Sequence, residues 1–233
     1  MGFQFQFASV FAKSDVLVDG LLVTLQLSAI GIVLGGLLGT LLAMLRGLGG
    51  KPARIAIDAY VELTRNTPFL VQMLIIFFGL PSIGVRMSAE QAALAAIILN
   101  LGAYSTEIVR AGIESVHKSQ IEAGLSLAMT RWQTFRYVVL APAIARVWPA
   151  LSSQFVLMML ASSICSFISV AELSGAAAII EQRTFRSFET YIIVTCIYLV
   201  LALFLKSLLL WLGRRIFPST SGLARIEARG APG

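Results

Sequence analysis

Five apolar runs dominate this chain, and they leave little freedom in what it can fold into. Crossing about 30 Å of hydrocarbon takes roughly twenty apolar residues in a helix. The first run extends from about Leu21 to Leu45. The second begins after Arg65 and ends at Pro81, with an amphipathic lead-in from Pro52. The third runs from about Ala89 to Val109, the fourth follows Pro149 and ends near Glu172, and the fifth runs from about Tyr191 to Leu212. Each proline is read as a boundary, because it has no N–H to give to a helix. Of the 233 residues, 58% are hydrophobic and only 13% charged. A soluble domain carries about 25% charged residues, so this chain cannot cover its own surface with water. The expectation is an all-α integral membrane protein with five transmembrane helices, forming a single domain over residues 1–233.

The net charge of +6 could suggest nucleic acid, but the basic residues gather at the ends of the apolar runs, as membrane topology requires. One side holds Arg46, Lys51, Arg54 and Arg65, then Arg110, Lys118, Arg131, Arg136 and Arg146, and finally Arg214, Arg215, Arg225 and Arg229. The other side holds Lys13, Arg86, Arg183 and Arg186, offset by Asp15, Asp19, Glu90, Glu181 and Glu189. The positive-inside rule therefore puts the N-terminus outside and the C-terminus in the cytoplasm, the parity that five crossings demand. The opening residues show no cleavage pattern, so the first run itself is expected to direct insertion. The two cysteines, Cys165 and Cys196, fall inside apolar stretches, which argues against a disulfide or a metal site.

Some polar groups lie where lipid would penalise them. Gly31, Gly35 and Gly39 recur every four residues in the first run, a stripe that lets another helix come close; glycine is also simply common in membrane helices. In the third run Asn100, Tyr104 and Glu107 share one helical face, and a membrane carboxylate normally faces protein or water. Glu107 either contributes to a polar path or pairs with nearby Arg110. The fourth run is rich in hydroxyls, with Ser162, Ser166 and Ser169 on one face at helical spacing. Serine can satisfy itself by bonding back to its own helix, but so many hydroxyls suit a helix that lines a polar path, and that is the reading adopted. Glu62 and Arg65 stand just before Thr67-Pro68, where they either gate a path or anchor an interfacial helix. His117, in the basic loop, reads as solvated.

Between the third and fourth runs lies "QIEAGLSLAMTRWQTFRYVVLAP", Gln120 to Pro142, which overlaps a candidate partner-facing region of about residues 114–137. It alternates apolar and polar residues at helical spacing, which a mere linker need not do, so it reads as a surface built for a partner. No catalytic constellation appears. In "GLGGKPAR" Lys51 is followed by Pro52 rather than Ser or Thr, so it is not a phosphate-cradling loop. Any ATP used must be hydrolysed by another chain, and no cofactor is expected on this one.

The segment from Ala103 to Phe155 resembles the cytoplasmic signature of the membrane subunits of bacterial ATP-binding-cassette importers, and most of all the polar amino acid permease subfamily. "YVELTRNTPFLVQMLIIFFGLP", "GLLVTLQLS" and "ISVAEL" resemble further motifs of that subfamily in the right order, from about Val18 to Phe217. Glu122, Ala123 and Gly124 stand for its Glu-Ala-Ala. Ala128 takes the place of the usual loop glycine, and "LASS", Leu160 to Ser163, replaces the common Lys-Asp-Thr-Ser. The resemblance implies the transmembrane domain of a type I importer in the bacterial inner membrane. It implies a second permease subunit, the same or related, two ATPase subunits below and an extracytoplasmic solute-binding protein above. The substrate would be an amino acid or close derivative, opines included. The segment would then hold short coupling helices, with Glu122, Ala123, Gly124 and Ala128 entering a groove on the ATPase and Trp132 and Phe135 as apolar anchors.

Two rivals remain. A secondary carrier driven by an ion gradient usually shows internal inverted repeats, and no segment recurs here. A membrane scaffold without transport fits the composition but not the serine-rich run.

Overall fold

A computed structural model describes residues 5–217, and among these every regular element is a helix. In chain order they are α1 (Phe7–Phe11), α2 (Ser14–Leu48), α3 (Lys51–Arg65), α4 (Phe69–Ser82), α5 (Ala89–Glu114), α6 (Lys118–Ser126), α7 (Arg131–Ile168), α8 (Leu173–Thr184) and α9 (Ser187–Ile216). Arg225 and Arg229, used above for the charge balance, lie outside the described residues. Four helices, α2, α5, α7 and α9, are each long and apolar enough to span a bilayer. A fifth crossing requires the pair α3 and α4, which are bent by 108° where they meet.

Each expected run falls on a helix, but the second and fourth differ in extent. The second run was expected to span alone from Arg65 to Pro81, but α4 is shorter than the roughly twenty residues a crossing takes, so α3 has to contribute. The fourth was expected to begin after Pro149, but its helix begins at Arg131 and Pro149 lies inside it. The true start is marked by a capping box. Gln133 N donates to Thr130 Oγ1 at 3.2 Å and Thr130 N donates to Gln133 Oε1 at 2.8 Å. The signal is Thr-x-x-Gln, Thr130 to Gln133. Membrane helices tolerate an internal proline when neighbouring helices take up the freed backbone groups. The other end also differs: α7 stops at Ile168, Ser169 turns into the left-handed region at φ 65°, and Glu172 caps a separate helix, α8.

Packing starts from the glycine stripe. Gly31, Gly35 and Gly39 are buried against Ile97, Leu101 and Ser105 of α5. A Cβ at Gly35 would lie 2.9 Å from Leu101 Cβ, and one at Gly39 would lie 2.7 Å from the Gly102 carbonyl oxygen. The stripe is thus a contact surface and not only a compositional habit. It extends to Gly20, where a Cβ would meet Ala176 of α8 at 2.6 Å. Thr24 secures α8 by accepting from Leu173 N at 3.0 Å. On the opposite edge Trp148 Nε1 donates to Leu209 O at 2.8 Å and ties α7 to α9. Met73, Ala96, Ile97, Leu101 and Phe155 fill the space between α2, α4, α5 and α7.

The short helix α6 ends in a Schellman turn. Met129 N reaches Gly124 O at 3.3 Å and Ala128 N reaches Leu125 O at 3.0 Å. That turn needs a left-handed residue, and Ala128 supplies it at φ 59°. An L-residue with a Cβ resists this conformation by roughly 1–2 kcal/mol.

Two outcomes follow from these contacts. Gly35→Val should lower stability by about 1–3 kcal/mol through overpacking. Gly79→Ala, whose Cβ meets Ile75 at an ordinary 3.8 Å, should be nearly neutral. Thermal unfolding in detergent micelles compares the two, and equal effects would contradict the close-approach account. Ala128→Gly should stabilise the turn by about 1 kcal/mol, seen as roughly fivefold greater amide exchange protection at Ala128 and Met129. Unchanged or weaker protection would mean that the turn is not strained.

Candidate functional site

A cavity of about 440 Å³ opens beside the break between α3 and α4, within the range of small-molecule sites, roughly 300–1,000 Å³. The break is written in Thr67-Pro68, since the residue before proline is pushed out of the helical region. Its exposed polar groups are gathered by Gln72, whose Nε2 donates to Thr64 O at 2.6 Å, Thr67 Oγ1 at 2.8 Å and Thr67 O at 3.0 Å. Gln72 Oε1 in turn accepts from Asn100 Nδ2 at 3.0 Å. The buried Asn100 of α5 therefore holds the bend in place. One turn further on, Tyr104 offers its ring to Arg65, whose guanidinium carbon lies 5.4 Å from the ring centroid.

Arg65 also ends a chain of alternating charges. Its Nη1 is 3.7 Å from Glu107 Oε1. Both oxygens of Glu107 are bonded by Arg110, with Nε to Oε2 at 2.8 Å. Arg110 reaches Glu114 at 2.6 Å, Arg46 reaches Glu114 at 3.4 Å, and Arg46 Nε closes on Asp58 at 2.5 Å. The six side chains join the end of α2, the face of α3 and the last turns of α5. All are partly exposed, so each pair is worth at most about 1 kcal/mol; the network fixes relative position more than it adds stability. Glu107 pairs with Arg110 and does not itself line the cavity, which it approaches only through Arg65. Glu62 is exposed and does not line the cavity, but it accepts at 2.9 Å from Nδ2 of Asn66, which does.

The serines are placed differently from the expectation. The last seven residues of α7, Ser162–Ile168, wind as a 3₁₀-helix. At three residues per turn Ser162 and Ser166 lie about a third of a turn apart, and Ser169 lies beyond the helix end, so the three no longer form one helical stripe. Ser162 Oγ donates to Met159 O at 2.6 Å and Ser166 Oγ to Ser163 O at 2.8 Å, while Ser169 sits in the left-handed turn. None of the three lines the cavity. Its α7 wall is Gln154, Leu157, Met158 and Ala161 instead. These recur at i, i+3, i+4 and i+7, a helical stripe that Gln154 could have flagged.

The cytoplasmic segment also divides in an unexpected way. Glu122 and Ala123 are exposed, as is Ala128, but Gly124 is buried. A Cβ on Gly124 would lie 3.1 Å from Thr134 Cγ2 and 3.3 Å from Val138 Cγ2, so this glycine seats α6 on α7 of the same chain. Phe135 is 9% exposed and also faces inward. Trp132 stacks over it at 6.3 Å between centroids and remains 51% exposed. Gly124 and Phe135 were expected to meet a partner; both are used up internally, because close helix contact needs small or inward-packed residues at the crossing. Glu122, Ala123 and Trp132 stay outward. Leu127, 79% exposed and not singled out from sequence, joins them.

Residues 31–218 match the family described as "binding-protein-dependent transport system inner membrane component". The chain is 35% identical over 215 residues to the glutamine transport system permease protein GlnP of Escherichia coli (strain K12), covering 91% of this chain and 98% of that protein. A solved chain of an amino acid ABC transporter, crystallised with histidines, superposes with a TM-score of 0.84 at 38% identity, covering 91% of this chain and 100% of that one. A chain of the MetNI methionine ABC transporter shares the fold at 17% identity, with a TM-score of 0.73, over 86% of this chain and 96% of that one. A helical, multi-pass membrane chain with this length of match belongs to the binding-protein-dependent transport system inner membrane component family.

Proposed function

We propose that this chain is the permease subunit of an ATP-driven importer for polar amino acids or their close derivatives. It acts as one permease domain and forms part of the substrate path. The observation that carries the reading is the cavity at the α3–α4 break, linked by an ion-pair chain to the end of α5, from which the exposed segment Lys118–Gln133 follows directly. The relative named for glutamine transport and the neighbour solved as an amino acid transporter support the substrate class. The ion-coupled carrier has no such support. In this reading the chain itself binds no cofactor and performs no catalysis. ATP is bound and hydrolysed by two partner ATPase subunits, a second permease completes the path, and an extracytoplasmic solute-binding protein delivers substrate. The N-terminus lies outside the inner membrane and the C-terminus in the cytoplasm, as the Lys/Arg asymmetry suggests.

Mechanically, α6 and Trp132 form a rigid lever on α7. Gly124 against Thr134 and Val138 fixes its angle; Glu122 and Trp132 are exposed, and Ala123 and Leu127, also exposed, border a groove shared with α7 and the end of α9. A push on this face is passed along α7, whose Gln154–Ala161 stripe walls the cavity. ATP-driven closure of the ATPases would then shift the balance between outward- and inward-open states.

Reconstitution tests this. The chain should co-purify with an ATPase, and uptake into proteoliposomes should require ATP and survive collapse of ion gradients. Uptake by the chain alone, driven by an ion gradient, would contradict it. Trp132→Ala should leave the fold intact yet weaken ATPase retention about tenfold or more, the effect of losing roughly 1.4 kcal/mol. Gly124→Trp should also uncouple hydrolysis from uptake, through displacement of α6 from Thr134 rather than through a clash with the partner. Full coupling in both variants would remove α6 and Trp132 from the docking surface.

A further inference from the structure

The charges around the cavity are one-sided. Arg65 is the one charged residue among those described as lining it. Its nearest carboxylate, Glu107, is 3.7 Å away, longer than a hydrogen bond, and both Glu107 oxygens are already taken by Arg110. A guanidinium has five N–H donors in a planar fork suited to a carboxylate. Arg65 is 38% exposed, so those donors can be reached.

The facing wall holds no carboxylate. Gln154, Leu157, Met158 and Ala161 carry no charge, and the Asn100 amide is bonded to Gln72. One π-face of Tyr104, which could otherwise hold an ammonium, is covered by Arg65 itself. Glu62 does not itself line the cavity; it stands behind Asn66, a lining residue that donates to it at 2.9 Å.

We propose that Arg65 takes a carboxylate of the transported molecule while the neutral Gln154–Ala161 wall receives an uncharged or acidic side chain, so that cationic amino acids are excluded. This rests on the importer reading and narrows its substrate class. A second positive charge entering the cavity would sit beside Arg65 and opposite a wall without a carboxylate, while Glu107 is held by Arg110 and Glu62 by Asn66, so the repulsion is left largely unbalanced in a site partly shielded from water. The selection lies on the wall: a carboxylate at position 161 would supply the missing counter-charge.

The test is equilibrium binding of radiolabelled L-glutamine, L-glutamate and L-arginine to the nucleotide-free permease–ATPase complex, purified without its solute-binding protein. The wild type should bind L-glutamine or L-glutamate at least tenfold more tightly than L-arginine. Arg65→Gln should weaken L-glutamine and L-glutamate alike by tenfold or more, and Arg65→Lys should recover part of the loss. Ala161→Asp should bring L-arginine to within a few-fold of L-glutamine. Equal binding of L-arginine by the wild type, unchanged L-glutamine binding in Arg65→Gln, or no binding of any probe would overturn the proposal. Failure of the ATPase to co-purify with the wild type would instead count against the importer reading, and the three probes are then compared on the permease alone.

Discussion

The close approach of α2 and α5 is the constraint on which the rest of this structure hangs. Between helices in lipid there is no water to exclude, so attraction comes from van der Waals contact, which requires backbones to come near one another. Gly31, Gly35 and Gly39 remove the side chains that would keep α5 away. Once α5 lies in that groove, Asn100 is brought to Gln72 and Tyr104 to Arg65, and the α3–α4 bend is held. The same approach brings Arg46 at the end of α2 to Glu114 at the end of α5. The cavity and the ion-pair chain are both consequences of one helix pairing.

The two halves of the site differ in how they resist change. Around the bend, amide and backbone hydrogen bonds fix the geometry, including 2.6 Å from Gln72 to Thr64. Toward the cytoplasmic end the links are half-exposed ion pairs, individually weak and sensitive to salt. A rigid bend beside an adjustable charged lattice suits a protein that must hold a site and yet change its exposure. The π-helical turns at Ile75–Gly79 and Thr134–Leu140 and the 3₁₀ turn at Ser162–Ile168 fall in α4 and α7, the helices that wall the cavity or carry the lever. Such departures from regular helix tend to mark functional positions.

Much of this was legible in the sequence wherever the signal was a helical period. The apolar runs, the glycine stripe, and Asn100, Tyr104 and Glu107 on one face all depend only on spacing along a regular helix, and α2 and α5 are regular. The reading failed where regularity failed. Ser162, Ser166 and Ser169 were placed on one face by a period that the 3₁₀ turn does not obey. Pro149 was taken as a boundary because the Thr130–Gln133 capping box, which carries the real start, is a four-residue signal easily lost beside a proline. Direction was also hidden: nothing local tells whether Gly124 and Phe135 face a partner or their own chain, since either use calls for small or aromatic residues. Arg65 was noticed but not assigned, because its role depends on Glu107 being saturated by Arg110 on another helix.

A cavity beside the α3–α4 bend that belongs to an ATP-driven path must change its exposure as the ATPases work. Ala161→Cys, in a protein whose Cys165 and Cys196 are replaced, reports on it directly. Its rate of reaction with a membrane-impermeant thiol reagent is followed in the reconstituted complex with and without ATP. The account predicts a several-fold change in rate when ATP is bound, and a change in which side of the membrane the reagent must come from. An identical rate from the same side in both states would show that the cavity is not part of a path coupled to ATP.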